Sequence, residues 1–171
     1  ELVDLIRQEF EGFGIAVAGY PEKHREAPSM EKDLENLKRK VDAGADIVVT
    51  QLFYDNDDFF SFRDRCHAIG INVPIVPGLL PVTSLHQIQR ITSLCAAKLP
   101  KPFVEQLAKS DDADWQFQVG VAQAVEQTRS LLETGVDGLH FYVLNQSNAT
   151  RAILKAVDIA AILGKCHKVG T

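Results

Sequence analysis

Tyr20 and His24 stand four residues apart in the run Gly19-Tyr20-Pro21-Glu22-Lys23-His24-Arg25-Glu26-Ala27, directly after an apolar stretch that reads as a strand. Tyrosine offers a stacking face with a polar tip, and neutral imidazole offers one donor and one acceptor. Residues just past the carboxyl end of a strand are where parallel αβ folds place ligand sites. A helical segment follows, carrying Asp33, Asn36, Arg39 and Lys40: a carboxylate, an amide and two cations. At about 100° per residue, Asp33, Asn36 and Lys40 fall within roughly 60° of one another. The apolar stripe of Leu34, Leu37, Val41 and Ala45 is centred about 100° away, so the polar trio lies on the helix flank beside the buried face. Arg39 points further round. Such a flank can border a crevice and meet a ribose or a phosphate, which suits a large, flat, phosphate-bearing ligand. The competing reading of the same residues is a packed loop and a solvated helix face with a few ion pairs.

Gln51 ends the next apolar run, in Thr50-Gln51-Leu52-Phe53. Its amide can match the edge of a nitrogen heterocycle that alternates donors and acceptors, or it can bond loop backbone. Gln87 follows Ser84 by three residues, a capping-box spacing that already accounts for it. His67, His86, His140 and His167 have no metal-ligand spacing, and no glycine-rich phosphate loop or nucleophile–histidine set is present. Asp55, Asp57 and Asp58 cluster at a helix start, where the helix dipole explains them.

Four short β-rich runs position these residues: Gly14 to Gly19, Asp46 to Leu52, Asn72 to Pro77, and Gly138 to Val143. Their continuous apolar character, as in Val48-Val49 and Ile75-Val76, predicts parallel strands covered on both faces. Helical patterns separate them. One follows Ser29 and stops at Gly44; the next is capped by Asn56, buries Phe59, Phe62 and Cys66, and stops at Gly70. Another opens at Ser84 with Leu85, Ile88 and Ile91 inward. An extra helix is expected between the Pro100–Pro102 break and the acidic turn at Asp111, Asp112 and Asp114. A long one spans about Trp115 to Leu132, and a last runs from Asn148 to Leu163, ended by Gly164. Strand–helix alternation predicts a parallel sheet with right-handed crossovers. The chain opens on a helix, where a complete doubly wound domain usually opens on a strand. The expected fold is therefore α/β: the second half of a (βα)8 barrel, four parallel strands in one partial domain over residues 1–171.

The 171 residues are 46% hydrophobic and 24% charged, as in a globular protein. A net charge of −5 without a basic cluster argues against nucleic acid as partner. No apolar run reaches membrane-spanning length. The three cysteines, Cys66, Cys95 and Cys166, form no CxxC pair or disulfide framework, which predicts a reducing cytoplasm.

Tyr20-Pro21-Glu22, His24, Glu26-Ala27, Asp33-Leu34, Leu37-Lys38, Lys40-Val41, Ala43-Gly44-Ala45 and Thr50-Gln51-Leu52-Phe53 form one contiguous pattern that resembles methylenetetrahydrofolate reductase. Pro74-Ile75-Val76-Pro77-Gly78-Leu79-Leu80-Pro81 and Gly138-Leu139-His140-Phe141-Tyr142-Val143-Leu144-Asn145 are similar to the last two strands of that family's barrel. The resemblance implies a flavoprotein oxidoreductase of one-carbon metabolism and methionine supply. NADH or NADPH reduces FAD, and the flavin reduces 5,10-methylenetetrahydrofolate to 5-methyltetrahydrofolate. By motif position, Tyr20, His24, Ala27, Asp33, Asn36, Arg39 and Lys40 would line FAD. Gln51 would contact folate and nicotinamide in turn, and Gln87 would contact folate. The resemblance covers the C-terminal half of the catalytic barrel. The family's general-acid glutamate and its pterin-binding aspartate would precede Glu1, so none of the chain's own residues is assigned as catalytic. Arg25 replaces a frequent proline, Ile91 stands where some members stack a phenylalanine on substrate, and Gln146 stands where some bind folate with arginine. A half-barrel leaves edges and an uncovered inner face, so self-association as a homo-oligomer is expected. Competing readings are a non-catalytic flavin- or nucleotide-binding half-barrel and a truncated product without function of its own.

Overall fold

Three parallel strands run side by side in chain order: β1 (Ala16–Gly19), β2 (Ile47–Thr50) and β3 (Ile75–Val76). Two more, β4 (Gly78–Leu79) and β5 (His140–Phe141), form a separate parallel pair. The computed structural model describes residues 2–157. The third apolar run, expected as one strand from Asn72 to Pro77, holds β3, and a further strand, β4, follows directly beyond Pro77. Proline has no N–H for a ladder. Its carbonyl still accepts the His140 N–H at 3.0 Å, so the run pairs with β2 before the break and with β5 after it. Four expected strands become five short ones in two sheets, and the strand order does not reverse.

The two sheets are tied at Thr50. Gly78 N–H donates to Thr50 Oγ1 at 2.9 Å, and Tyr142 Oη donates to Thr50 O at 2.9 Å. A Cβ on Gly78 would lie 2.2 Å from the Thr50 carbonyl oxygen, which is why this strand carries a glycine there.

Helices fill the connections: α1 (Leu2–Glu9), α2 (Met30–Asp42), α3 (Asn56–Ala68), α4 (Leu85–Cys95), α5 (Lys101–Leu107), α6 (Ala113–Glu133) and α7 (Asn148–Val157). Ser29 caps α2, its side chain accepting the Lys32 N–H at 3.2 Å. The helix stops at Asp42, short of Ala45. Gly44 takes φ +109°, and Ala45 enters the core from beyond the helix rather than on its stripe. Asp55, not Asn56, caps α3 by accepting the Asp57 N–H at 3.0 Å. The Asn56 amide is instead drawn to the Gln127 carbonyl of α6 at 3.1 Å. The extra helix is α5, with Pro102 in its first turn. The end of the last expected helix, to Leu163 and Gly164, lies outside the described residues, as does Cys166.

Val17, Val48 and Ile75 point from one sheet face into a core with Leu34 and Leu37 of α2, Phe59, Phe62 and Cys66 of α3, and Leu131 of α6. Burial pushes the Cys66 thiol up to about 12, as for a packing cysteine. A second cluster joins Leu80, Val82, Ile88, Phe103, Leu107 and Val119 beneath α4, α5 and α6. β1 and β2 are covered on one face only, while both residues of β4 are buried. Along β1, Val17 and Gly19 are buried while Ala16 and Ala18 are exposed, and Ile47 and Val49 of β2 are partly exposed on the same bare face. Among the described residues no helix is long and apolar enough to cross a membrane, and no group of histidine, cysteine and carboxylates could hold a metal ion.

Candidate functional site

The loop after β1 fastens itself. Lys23 adopts φ +78°, its N–H donates to Tyr20 O at 3.1 Å, and its ammonium reaches the carbonyls of His24 (3.0 Å) and Ala27 (2.5 Å). Ala27 N–H donates to His24 O at 3.0 Å, and Glu26 N–H donates to His24 Nδ1 at 3.2 Å. Accepting at Nδ1 leaves Nε2 as the protonated nitrogen of a neutral ring, a donor free to face a ligand. Asp33 Oδ2 on α2 accepts the His24 backbone N–H at 2.7 Å. The Tyr20 and His24 rings meet edge to face, with centroids 4.5 Å apart and planes at 75°. Burial, then the negative charge of Asp33, raises the Tyr20 phenol above its ordinary value.

These contacts frame one cleft of about 910 Å³. Tyr20, His24, Asp33, Asn36, Arg39 and Lys40 line it, with Val17 and Ala18 of β1 behind and Leu2, Val3 and Asp4 of α1 opposite. Six of the seven residues singled out as a ligand wall therefore converge. Arg39 is included although the helical wheel turned it away, because a long side chain sweeps round the flank. Ala27 is not on the wall; its carbonyl anchors Lys23 and so serves the loop.

Gln51 takes its structural option. Its Oε1 accepts the N–H of Leu52 at 2.9 Å, while its own N–H continues the ladder to Gly19 O at 2.8 Å. That register puts Gln51 beside Tyr20 on the rim, outside the wall of the cleft. Gln87 lies elsewhere, exposed on α4 and lining a narrow cavity of about 30 Å³ with Thr83, Ile91, Tyr142 and Gln146. Its backbone N–H meets Ser84 Oγ at 3.5 Å, but its side chain meets Thr83 Oγ1 at 3.2 Å, so the reciprocal half of a capping box is not formed. The cavity holds about one water. Beside it, Leu144 and Asn145 take φ of +45° and +63°, a backbone region that L-residues rarely enter and that clusters at functional sites.

Tyr142 links the two regions. It is half-buried, lines the narrow cavity and bonds Thr50; burial, then the nearby Tyr20 and Cys95, raise its phenol pKa. Sequence reasoning passed over it, although its place after an apolar run matches that of Tyr20 and Gln51.

The architecture is a parallel α/β domain with a ligand-sized cleft that runs along the outer edge of β1, between α1 and α2, to the loop after the strand. The profile of the methylenetetrahydrofolate reductase family matches residues 1–158, and the chain belongs to that family. The 5,10-methylenetetrahydrofolate reductase of Escherichia coli (strain K12) is 39% identical over 160 residues, covering 93% of this chain and 54% of the bacterial protein. Methylenetetrahydrofolate reductase (NADH) 1 of Zea mays is 41% identical over 165 residues, covering 90% of this chain and 28% of the plant protein. The chain thus spans about half the length of the bacterial relative, at 54%. A Clostridium thermocellum protein described as binding two copies of 5-methyl-5,6,7,8-tetrahydrofolic acid superposes with a TM-score of 0.62 at 18% identity. That match covers 93% of this chain and 58% of the other and speaks for the fold.

Proposed function

We propose that the chain supplies the flavin- and folate-facing wall of a methylenetetrahydrofolate reductase, as the second half of a (βα)8 barrel. The observation that carries this reading is the convergence of Tyr20, His24, Asp33, Asn36, Arg39 and Lys40 on one cleft. Strand order in chain sequence, with one face of β1 and β2 covered and the other bare, supports the half-barrel.

The donor set fits FAD. The cleft lies within the range of about 300–1,000 Å³ usual for ligand pockets. Arg39 and Lys40 bring two cations to the cleft, which suits a pyrophosphate. Asp33 and Asn36 offer acceptors and donors to ribose hydroxyls, and the neutral His24 offers Nε2–H beside the Tyr20 ring. When bound, FAD supplies the hydride relay from NADH or NADPH to 5,10-methylenetetrahydrofolate. The protein's part is positioning: Gln51 on the rim beside Tyr20 orients the pterin through its amide, and Gln87 and Tyr142 border the folate side. The bare face of the sheet is the surface through which copies of the chain associate.

A flavin fluorescence titration of the 171-residue chain and its Lys40→Ala and Arg39→Ala variants tests the assignment. Each variant should weaken binding, more so at low ionic strength, since the lost contact is an ion pair. Equal affinity in all three proteins would remove the α2 flank from the flavin site.

A further inference from the structure

Glu22 joins three segments that are distant in sequence. Both of its carboxylate oxygens accept the Lys98 backbone N–H, at 3.1 and 3.0 Å, and the Asp58 carboxyl is its charged neighbour on α3. The loop after β1, the first turn of α3 and the turn between α4 and α5 therefore meet at one side chain. Two ionised carboxylates are acceptors only and repel each other, so the neighbouring Asp58 favours the protonated form of Glu22. Burial, aided by the Asp58 charge, pushes Glu22 up to about 7 against the opposing N–H and charge of Lys98. On its own loop, the Lys23 ammonium is engaged by the His24 and Ala27 carbonyls, and His24 turns Nδ1 to the Glu26 N–H. Asp58 and Lys98 are thus the charged groups that face it.

We propose that Glu22 is a positioning residue for the cleft: by bridging from the loop after β1 to the Lys98 backbone, beside Asp58 of α3, it fixes the loop that presents Tyr20 and His24. This rests on the reading of that cleft as a flavin site. Glu22 lies outside the wall of the cleft and acts through its neighbours in the chain, with buried Pro21 as the link to Tyr20. The loop then has two anchors, Asp33 on the α2 side and Glu22 on the α3 side. Deprotonation sets two like charges against each other and weakens the second anchor. The sign follows from linkage: the raised carboxyl binds its proton more tightly in the closed loop. Closure is therefore strongest below the ordinary carboxylate range and weakens as pH rises through about 7.

Glu22→Gln separates the alternatives, because its amide accepts from Lys98 and carries no charge beside Asp58 at any pH. Glu22→Ala removes the acceptor. Amide hydrogen exchange over residues 20–27 and at Lys98, corrected for intrinsic rates, is measured on the 171-residue chain between pH 6 and 8, with FAD titrations alongside. In the unaltered chain, protection should fall about tenfold over that range, the change a carboxyl near 7 brings when its open-state value is near 4.5. Glu22→Gln should stay protected with a flat profile, and FAD affinity should follow the same pattern. The same pH profile in the unaltered chain and in Glu22→Gln would overturn the proposal, whether or not Glu22→Ala folds. So would FAD binding with one affinity and one pH dependence in both. Absence of FAD binding in every variant, with the exchange pattern as expected, would instead retire the flavin reading and leave Glu22 as the loop's anchor.

Discussion

Asp33 Oδ2 accepts the His24 backbone N–H at 2.7 Å, so a helix side chain holds the loop it faces. The carboxylate has two tasks at once. It satisfies a half-buried donor, and its charge keeps the Tyr20 phenol protonated to higher pH. The pairing also accounts for the convergence of the cleft residues, because it ties Tyr20 and His24 to the flank that carries Asn36 and Lys40.

Removing that carboxylate should therefore act on both. Asp33→Ala leaves the His24 N–H without its acceptor, at a cost of about 1–3 kcal/mol, and lowers the Tyr20 pKa toward its ordinary value. Urea unfolding and an ultraviolet titration of the phenol read the two effects. Asp33→Asn keeps an acceptor and should recover most of the stability, but not the raised phenol. Identical phenol titration in all three proteins would show that Asp33 does not act on Tyr20.

Ala45 gives a test of packing behind the same flank. It is 4% exposed and its N–H reaches the Lys40 carbonyl at 3.2 Å, so a bulkier residue presses directly on the end of α2. Ala45→Val should overpack the seam by about 1–3 kcal/mol and speed the loss of FAD on dilution. Lowered stability with unchanged flavin retention would mean that the position of α2 does not control the cofactor.

The helical wheel placed Asp33, Asn36 and Lys40 on one flank because the 3.6-residue period fixes direction wherever a helix forms. The strand ends were legible for the same reason: apolar runs stop where the chain leaves the core, and Tyr20 and Gln51 follow those stops. The break at Pro77 was not, since a proline in an apolar run reads equally as an end or an interruption, and the second neighbour that decides it lies far along the chain. The cap of α3 went to Asp55 because Asn56 found Gln127, a partner 71 residues away. Glu22 reads in the sequence only as a loop carboxylate beside Tyr20, for the same cause. Its partner Lys98 is 76 residues distant, and its burial comes from segments that no local pattern places beside it.

Acid should release a different fastening, between α1 and the start of β2. Asp46 accepts the Ile15 N–H at 2.6 Å and the Arg7 guanidinium at 2.5 Å, while Arg7 also reaches the Gly44 and Phe13 carbonyls. The Ile15 N–H first, and Arg7 second, hold the Asp46 carboxyl below its ordinary value. A carboxyl depressed on folding contributes stability above its unfolded pKa of about 4 and loses it as pH falls through the folded value. Melting temperatures of the unaltered chain and Asp46→Asn should differ at pH 6 and converge toward pH 3. A constant gap between them would assign the contact to geometry rather than charge.

The last prediction concerns turnover. Opening the methylene bridge of the folate needs a proton at N10, and a positioned acid is typically worth about 10²- to 10⁴-fold. The carboxylates of the β1 loop and of the first turns of α2 and α3 are engaged. Asp33 accepts from His24, Asp55 caps α3, and Asp58 faces Glu22. Glu22 holds a proton near neutrality, but it faces Lys98 and Asp58 and is not part of the wall that Tyr20 and His24 form. Gln51 orients through hydrogen bonds and has no proton to give at neutral pH. Residues 1–171 reconstituted with FAD should therefore oxidise NADH or NADPH, weakly, while 5,10-methylenetetrahydrofolate stays unreduced. Both reactions can be followed in one stopped-flow experiment, by flavin absorbance and by product analysis. Folate turnover lost in Glu22→Gln but present in the unaltered chain would make Glu22 the acid and overturn its assignment as a positioning residue; turnover in both would require a donor other than these carboxylates.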